Sequence, residues 1–402
     1  MKTSFILTAL LAQATLAHAK PIKIFILAGQ SNMQGHAKVE TFDYIGDDPV
    51  TAPMLKQMRG PDGISHVCKN VWISYLTDDG ATKQGQLTAG YGALGGDPKI
   101  GPEFTFGMTM EKAFDGPVRI IKTAWGGKSL NTDFRSPSAG PYVLNEFQLK
   151  NYPKQEGHGI PKDFEKWKAD KVNQTGHYYR LMIEHVKSVL KDIKSAYPGY
   201  DPRQGYELAG FVWFQGWNDM CDSHTYPDSD KPGGYDLYST LLAHFIRDVR
   251  KDLSVPKMPF VIGVMGVGGI QEKPNYFRQA MATPAAMPEF KGNVVAVETA
   301  PFWDKKLGEI DENRGKISQM EWMLNAKDTN GPNREGTMTK EQQAAYLKDY
   351  RAKLITPNDE ATWKRGASNA GYHYLGCAKT FALMGKAFAD TQLSMMKNAA
   401  RR

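Results

Sequence analysis

Ile24-Phe-Ile-Leu-Ala-Gly-Gln-Ser-Asn-Met-Gln-Gly35 is the stretch that decides how this chain is read. An apolar run suited to a buried strand breaks into Gly29-Gln30-Ser31-Asn32, so a small hydroxyl stands where a strand hands over to a helix. A serine at the carboxyl edge of a parallel sheet is where α/β hydrolytic enzymes hold a nucleophile. Taken alone, Ser31 reads equally well as a helix N-cap, because serine is a favoured capping residue. The rest of the chain has to choose between the two.

Outward from that stretch, apolar β-like runs alternate with amphipathic helices. The strand candidates are residues 22–28, 118–124, 208–215, 259–265 and 293–298, short and apolar at nearly every position. Parallel strands covered on both faces carry that pattern. Between them, Met182, Val186, Val189, Leu190 and Ile193 form one helical stripe, and Leu237, Leu241, Phe245 and Val249 another. A third, Cys377, Phe381, Met384 and Phe388, lies near the end. These spacings predict core-facing helices. The alternation predicts a three-layer α/β/α sandwich around a mostly parallel sheet of five strands, with its ligand site beyond the strands' carboxyl ends.

Composition sets the limits. The 402 residues are 41% hydrophobic, 23% charged and 11% aromatic, which suits one elaborated globular domain or two modest ones. The formal charge of +7 is scattered rather than blocked, so weak steering toward anionic surfaces or glycans is expected and nucleic-acid binding is not. Residues 1–19 resemble an export signal, with Lys2, an apolar run from Phe5 to Ala17, and a small-x-small cleavage pattern at Ala17-His18-Ala19. A secreted or periplasmic protein is expected, as a single domain over residues 20–402. No later stretch is apolar for the ~20 residues a membrane span needs. Cys68, Cys221 and Cys377 permit at most one disulfide. Residues 36–100, 128–172 and 305–366 exceed the minimal alternation and read as inserted loops that build a binding site or lid. Val71–Leu76 in the first of them suggests a small hairpin strand.

Three later segments carry polar chemistry to the same predicted edge. A strand runs into Ala124-Trp-Gly-Gly-Lys-Ser-Leu130, where Gly126-Gly127 let backbone approach a reacting carbonyl and aim an N–H at it. Another ends in Gln215-Gly-Trp-Asn-Asp219, offering side-chain amides. One such donor to a developing oxyanion is worth roughly 3 kcal/mol in a preorganised site. An Asx turn explains Asn218 or Asp219 equally well in isolation. Finally, His373 lies in a turn before the last amphipathic helix, placed to approach Ser31 as a general base.

Together these blocks resemble the SGNH-hydrolase superfamily, with the closest likeness to its sialate O-acetylesterase-like branch of carbohydrate esterases. The likeness rests on Gly29-Gln-Ser-Asn-Met33, Ala124-Trp-Gly-Gly127 with Ser129-Leu130, Gln215-Gly216 with Asp219, and His373. Ile100-Gly-Pro-Glu-Phe104 is also similar to that branch. The resemblance implies a flavodoxin-like fold, Ser31 as nucleophile and His373 as its base. It implies an oxyanion hole from the N–H groups of Ser31 and Gly127 and an amide of the third block. That amide is Asn218 if the broad superfamily spacing holds, or Gln215 if the narrower branch pattern does; Asn218 is favoured. Gln30, Gln215 and Trp217 are expected to line the substrate, and Trp125, Trp217 and Tyr372 either stack on sugar faces or pack under the loops.

Two departures stand out. The branch usually carries Glu where this chain has Trp217, and the superfamily carries Asp three residues before the catalytic histidine, where this chain has Ala370. Ser368 and Asn369 are the nearest polar side chains upstream. Asp219 or Asp304 is the candidate to orient His373, with Asp219 preferred. The expected activity is hydrolysis of O-acetyl esters on oligo- or polysaccharides, with no cofactor and no metal, because no His/Asp/Cys cluster shows ligand spacing. A carbohydrate-binding or structural module of the same fold, without turnover, is the alternative. An esterase for longer acyl groups is disfavoured by the polar, glycine-rich insertions.

Overall fold

The computed structural model describes residues 20–152 and 163–401; the expected export segment, residues 1–19, lies outside them. The strands in chain order are β1 (Ile22–Gly29), β2 (Ala37–Lys38), β3 (Val71–Leu76), β4 (Thr82–Gln86), β5 (Lys99–Ile100), β6 (Val118–Ala124), β7 (Tyr206–Phe214), β8 (Phe260–Val264) and β9 (Val294–Glu298). Seven of them form one sheet in the order β4-β3-β6-β1-β7-β8-β9. All its pairings are parallel except the β3–β4 hairpin. All five expected strands are in it. The two additional strands come from the hairpin at Val71–Leu76, which joins the main sheet because β3 runs parallel beside β6. β2 and β5 make a separate two-stranded ribbon.

Helices cover both faces, which is why the central strands read as unbroken apolar runs. Successive residues of a strand point to opposite faces. In β7, Trp213 packs on Phe245 of helix Asp236–Asp252, with ring centroids 4.3 Å apart. Its neighbour Phe214 packs on Phe388 of helix Ala378–Ala400 at 5.5 Å. Phe25 of β1 meets Phe106 of helix Glu103–Ala113 at 5.4 Å, and that helix lies against Ala378–Ala400. Helix His177–Lys191 joins the other layer, with Tyr179 at 5.6 Å from Phe245. The stripe Cys377, Phe381, Met384 and Phe388 is fully buried; in the stripe on Asp236–Asp252 only Leu237 turns to solvent.

The stretch 305–366 folds as three helices, Lys305–Ala326, Lys340–Leu354 and Pro357–Gly366. They enclose a small core of their own around Ile310, Ile317 and Ile355. The cysteines are free. No helix among the described residues is long and apolar enough to cross a membrane.

Candidate active site

Sheet register creates the site. Gly29 at the end of β1 stands level with Ala124 of β6 on one side and Phe214 of β7 on the other. The three segments that follow these strands therefore emerge side by side. β1 is also where the chain turns from building one half of the sheet to building the other, and such switch points open a crevice at the carboxyl edge. Glycine at position 29 is required for this closeness, since a Cβ there would meet the Phe214 carbonyl oxygen at 2.1 Å. Backbone bonds lock the three exits together. Trp125 N–H donates to Gly29 O (3.2 Å) and Gln30 N–H to Phe214 O (3.3 Å).

Ser31 opens the short helix Ser31–Gln34 at this sheet edge and is 8% exposed. The turn Gly371–Gly376, carrying His373, closes over it. Asn32 Nδ2 donates to the Tyr372 carbonyl at 3.1 Å. The imidazoles of His36 and His373 stack with centroids 3.8 Å apart and planes 3° from parallel. Residues 31–36 and 372–373 thus meet at one rim. His373 Nδ1 pairs with Asn369 Oδ1 at 2.9 Å, and no hydrogen bond joins Ser31 to the ring among the described residues. In ligand-free sites such bonds are commonly long and tighten with substrate. Burial pushes the His373 pKa down to about 4, and that of His36 to about 3 with help from His373, Lys99 and Lys122.

The turn that carries His373 is strained. Tyr374 and Leu375 sit at φ 51° and 60°, left-handed conformations that cost non-glycine residues about 1–3 kcal/mol each. Their side chains hold them there. Tyr374 Oη accepts the Gly266 N–H and pairs with Thr299 Oγ1, both at 2.7 Å. Leu375 is buried among Tyr44, Leu307 and Cys377.

The third segment separates bracing amides from an open one. Gln30, 2% exposed, accepts the Gly216 N–H on Oε1 at 3.0 Å. A backbone N–H can only donate, so Gln30 Nε2 must face the other way, where it donates to Asn218 Oδ1 at 2.9 Å. Asn218 therefore turns Nδ2 outward, without a hydrogen-bond partner among the described residues. Gln215 is the opposite case. At 1% exposed, its Nε2 sets two hydrogens among three acceptors, Asp219 Oδ2, Lys128 O and Gln30 Oε1, and Tyr238 Oη reaches both its backbone O and its Oε1. Across the crevice, Gly127 is exposed and takes φ 69°.

Several sequence expectations are corrected here. Gln30 and Gln215 do not line a substrate surface; both amides are turned inward and tie the first segment to the third. Asp219 does not orient His373. Its carboxylate, 1% exposed, accepts from Leu130 N (2.7 Å), Asn131 N (3.0 Å), Gln215 Nε2 (2.7 Å) and Tyr226 Oη (3.2 Å). It pins the glycine-containing second segment to the third, and burial pushes its pKa up to about 6 against the pull of those four donors. Asp304 is spent as well, capping Lys305–Ala326 through Leu307 N–H and pairing with Lys379. Trp125 is 2% exposed and packs on Phe134 and Tyr178. Trp217 and Tyr372 do flank the rim, with centroids 5.8 Å apart and Tyr372 47% exposed.

Sequence reasoning assigned no role to His36, and it named Asn369 only as a nearby polar side chain, because it stands four residues upstream of His373 and not the three at which an acid was sought. Among the described residues, one side-chain cluster carries metal-ligand atoms, His66, Cys68 and Glu111, all within 4.8 Å of one another. It lies just before β3 begins, at the opposite end of the sheet from Ser31. Glu111 there already accepts from His66 and from the Lys69 and Asn70 N–H groups, bracing a loop to helix Glu103–Ala113.

The sequence model of one protein family, described as "Carbohydrate esterase, sialic acid-specific acetylesterase", matches residues 21–152 and 156–306. That span holds Ser31, Gly127 and Asn218, and His373 lies beyond it. Among solved structures, the chain is similar to a protein from Arabidopsis thaliana at 16% identity, covering 83% of this chain and 100% of that one, with a TM-score of 0.38. It is also similar to a carbohydrate acetylesterase from Xanthomonas citri at 12% identity, covering 69% and 49%, with a TM-score of 0.38. No curated protein matches it.

Proposed function

Because the chain belongs to the sialic acid-specific acetylesterase family of carbohydrate esterases, we propose that it removes O-acetyl groups from glycans through an acetyl-Ser31 intermediate, outside the cytoplasm. What supports this reading is that the segments carrying Ser31, Gly127, Asn218 and His373 come to one edge of the sheet, with Asn218 Nδ2 unpartnered among the described residues and burial holding the His373 pKa low. In the proposed reaction, Ser31 Oγ attacks the acetyl carbonyl while His373 Nε2 takes its proton. The N–H groups of Ser31 and Gly127 and Asn218 Nδ2 receive the oxyanion. The C–O bond to the sugar breaks, and His373 returns the proton to the leaving alcohol. Water, deprotonated by the same ring, then releases acetate and frees Ser31.

Trp217 and Tyr372 present aromatic area suited to a sugar face, apolar in body with a polar tip. An acetylated sugar rather than a greasy chain is therefore the proposed substrate. An acyl-length series on p-nitrophenyl esters, run beside acetate release from acetylated xylan and acetylated sialosides, tests this. Highest kcat/KM on acetyl esters is expected; a preference for octanoyl or longer would defeat it. Glycan binding without any acetate release would make the chain a binding module instead.

The oxyanion role has its own test. Asn218→Ala is expected to lower kcat by about 10²–10³-fold with little change in KM, the loss of one preorganised donor. Gln215→Ala should differ in kind, lowering the thermal midpoint because it leaves a buried web short of a donor.

A further inference from the structure

His373 lacks an acid, yet its ring is held. We propose that Asn369 is the positioning residue for His373, taking the place of the missing carboxylate by accepting its Nδ1–H, while His36 clamps the face of the same ring. This rests on the reading of His373 as the base of Ser31.

The direction of the bond follows from a neighbour. Asn369 Oδ1 also accepts the Ala370 N–H at 2.8 Å. That backbone group has no acceptor, so the amide oxygen, not its nitrogen, must face both Ala370 and the ring. An acceptor 2.9 Å from Nδ1 requires the proton there, which leaves the Nε2 lone pair available in the neutral ring. That is the tautomer a general base needs, and a wrongly tautomerised histidine loses about 10⁴ in turnover.

Asn369 is itself fixed. Its N–H donates to Leu375 O at 3.1 Å, and the preceding Ser368 N–H donates to the same oxygen at 2.8 Å. Ser368 Oγ donates to Gly376 O at 2.7 Å and accepts the Lys38 N–H at 3.1 Å. Gly376, at φ 58°, lies so close that a Cβ would meet Asn369 Cβ at 2.8 Å. The strained turn and its anchors therefore hold both partners of the pair. His36 completes the clamp by stacking on the ring with centroids 3.8 Å apart. It leaves β1's loop just before the β2–β5 ribbon, which pairs Ala37 with Ile100. Among the described residues, the groups set against the His373 ring are Asn369 at Nδ1, His36 stacked on a face and Tyr372 edge-on at 4.5 Å; none is an anion.

A neutral positioning group has a consequence that a carboxylate would not have: it holds the tautomer without raising the basicity of the ring. Asn369→Ala should lower kcat by about 10²–10⁴-fold, the range a general base contributes, with KM unchanged. Asn369→Asp should restore most of kcat and move the acid limb of the kcat/KM profile upward by about one pH unit or more, as an opposite charge favours the imidazolium. Long-range ¹⁵N NMR of the wild-type protein at pH 7 should show His373 protonated on Nδ1. Wild-type kcat in Asn369→Ala, where His373→Ala is inactive, overturns the pairing alone, and so does a ring protonated on Nε2. Full activity in His373→Ala overturns the reading of the site beneath it.

Discussion

Ser31→Ala is expected to release acetate from acetylated oligosaccharide at least about 10⁴-fold more slowly than the wild type, with glycan affinity retained. Removing one member of a nucleophile–base pair abolishes what the pair does together, leaving only binding and oxyanion stabilisation. The side chain is small and lies at a helix start, so the change removes a hydroxyl without opening a core cavity. Stopped-flow release of p-nitrophenolate gives a second reading, since a burst equal to the enzyme concentration marks the acetyl-enzyme and should vanish in the variant. Undiminished turnover would take Ser31 out of the mechanism.

The same site fixes a pH dependence. In the proposed mechanism the base works unprotonated, and burial lowers the His373 pKa from 6.5 to about 4. Activity should therefore hold down to about pH 4 and fall below it, rather than failing near 6.5. Stability has the same sign for a different reason. Both His36 and His373 titrate lower when folded than when unfolded, so below pH 6.5 the unfolded chain takes up protons first. The folded state should lose stability as pH falls through that window, measured as urea midpoints from pH 7.5 to 4.5.

The largest expected effect on stability lies under the crevice. Lys122, in the middle of β6, and Glu103, at the start of its helix, are both fully buried and pair at 2.8 Å. Lys122 Nζ also donates to Gln34 O and Tyr91 O at 2.7 Å each, and Glu103 Oε1 accepts the Gly101 N–H at 2.9 Å. The ion pair thus ties the helix carrying Ser31 to the Tyr91 loop of the first insertion and to the Gly101 turn that follows it. Lys122→Met should cost about 3–5 kcal/mol, because a lone buried carboxylate remains without its counter-charge. Replacing both partners, as Lys122→Met with Glu103→Leu, should recover only part of that. The pair's charges would be gone, but the Gln34 and Tyr91 carbonyls and the Gly101 N–H would stay buried without partners. Chemical denaturation reads both, and a loss below about 1 kcal/mol in the single variant would show that the pair holds little.

How far the chain could be read without coordinates differs between its layers. The apolar runs of β1, β6, β7, β8 and β9, and the stripe on Ala378–Ala400, are local patterns with periods of two or 3.6, and they announced the sheet and its cover. The order of the serine, glycine, amide and histidine segments likewise lay open in the sequence, as did the strand ends they follow. Lys122 and Arg119 show the limit. Both are charges set in an apolar run, yet both are buried: Lys122 meets Gln34 O, Tyr91 O and Glu103 from segments elsewhere in the chain, and Arg119 reaches Ser74 Oγ of β3.

The sequence by itself determined the class of fold, because each strand and helix announces itself in a local pattern, and it nominated Ser31 and His373 through the order of the segments that carry them. Only the tertiary structure decided which polar groups at that edge are free to act. Gln30 and Gln215 carry the same carboxamide group as Asn218 and Asn369. They differ in whether neighbours from distant parts of the chain have already claimed their donors and acceptors. Hydrogen-bond capacity is finite and is allotted by three-dimensional proximity, as between Asn32 and Tyr372 across 340 positions. No spacing rule along the chain encodes that allotment.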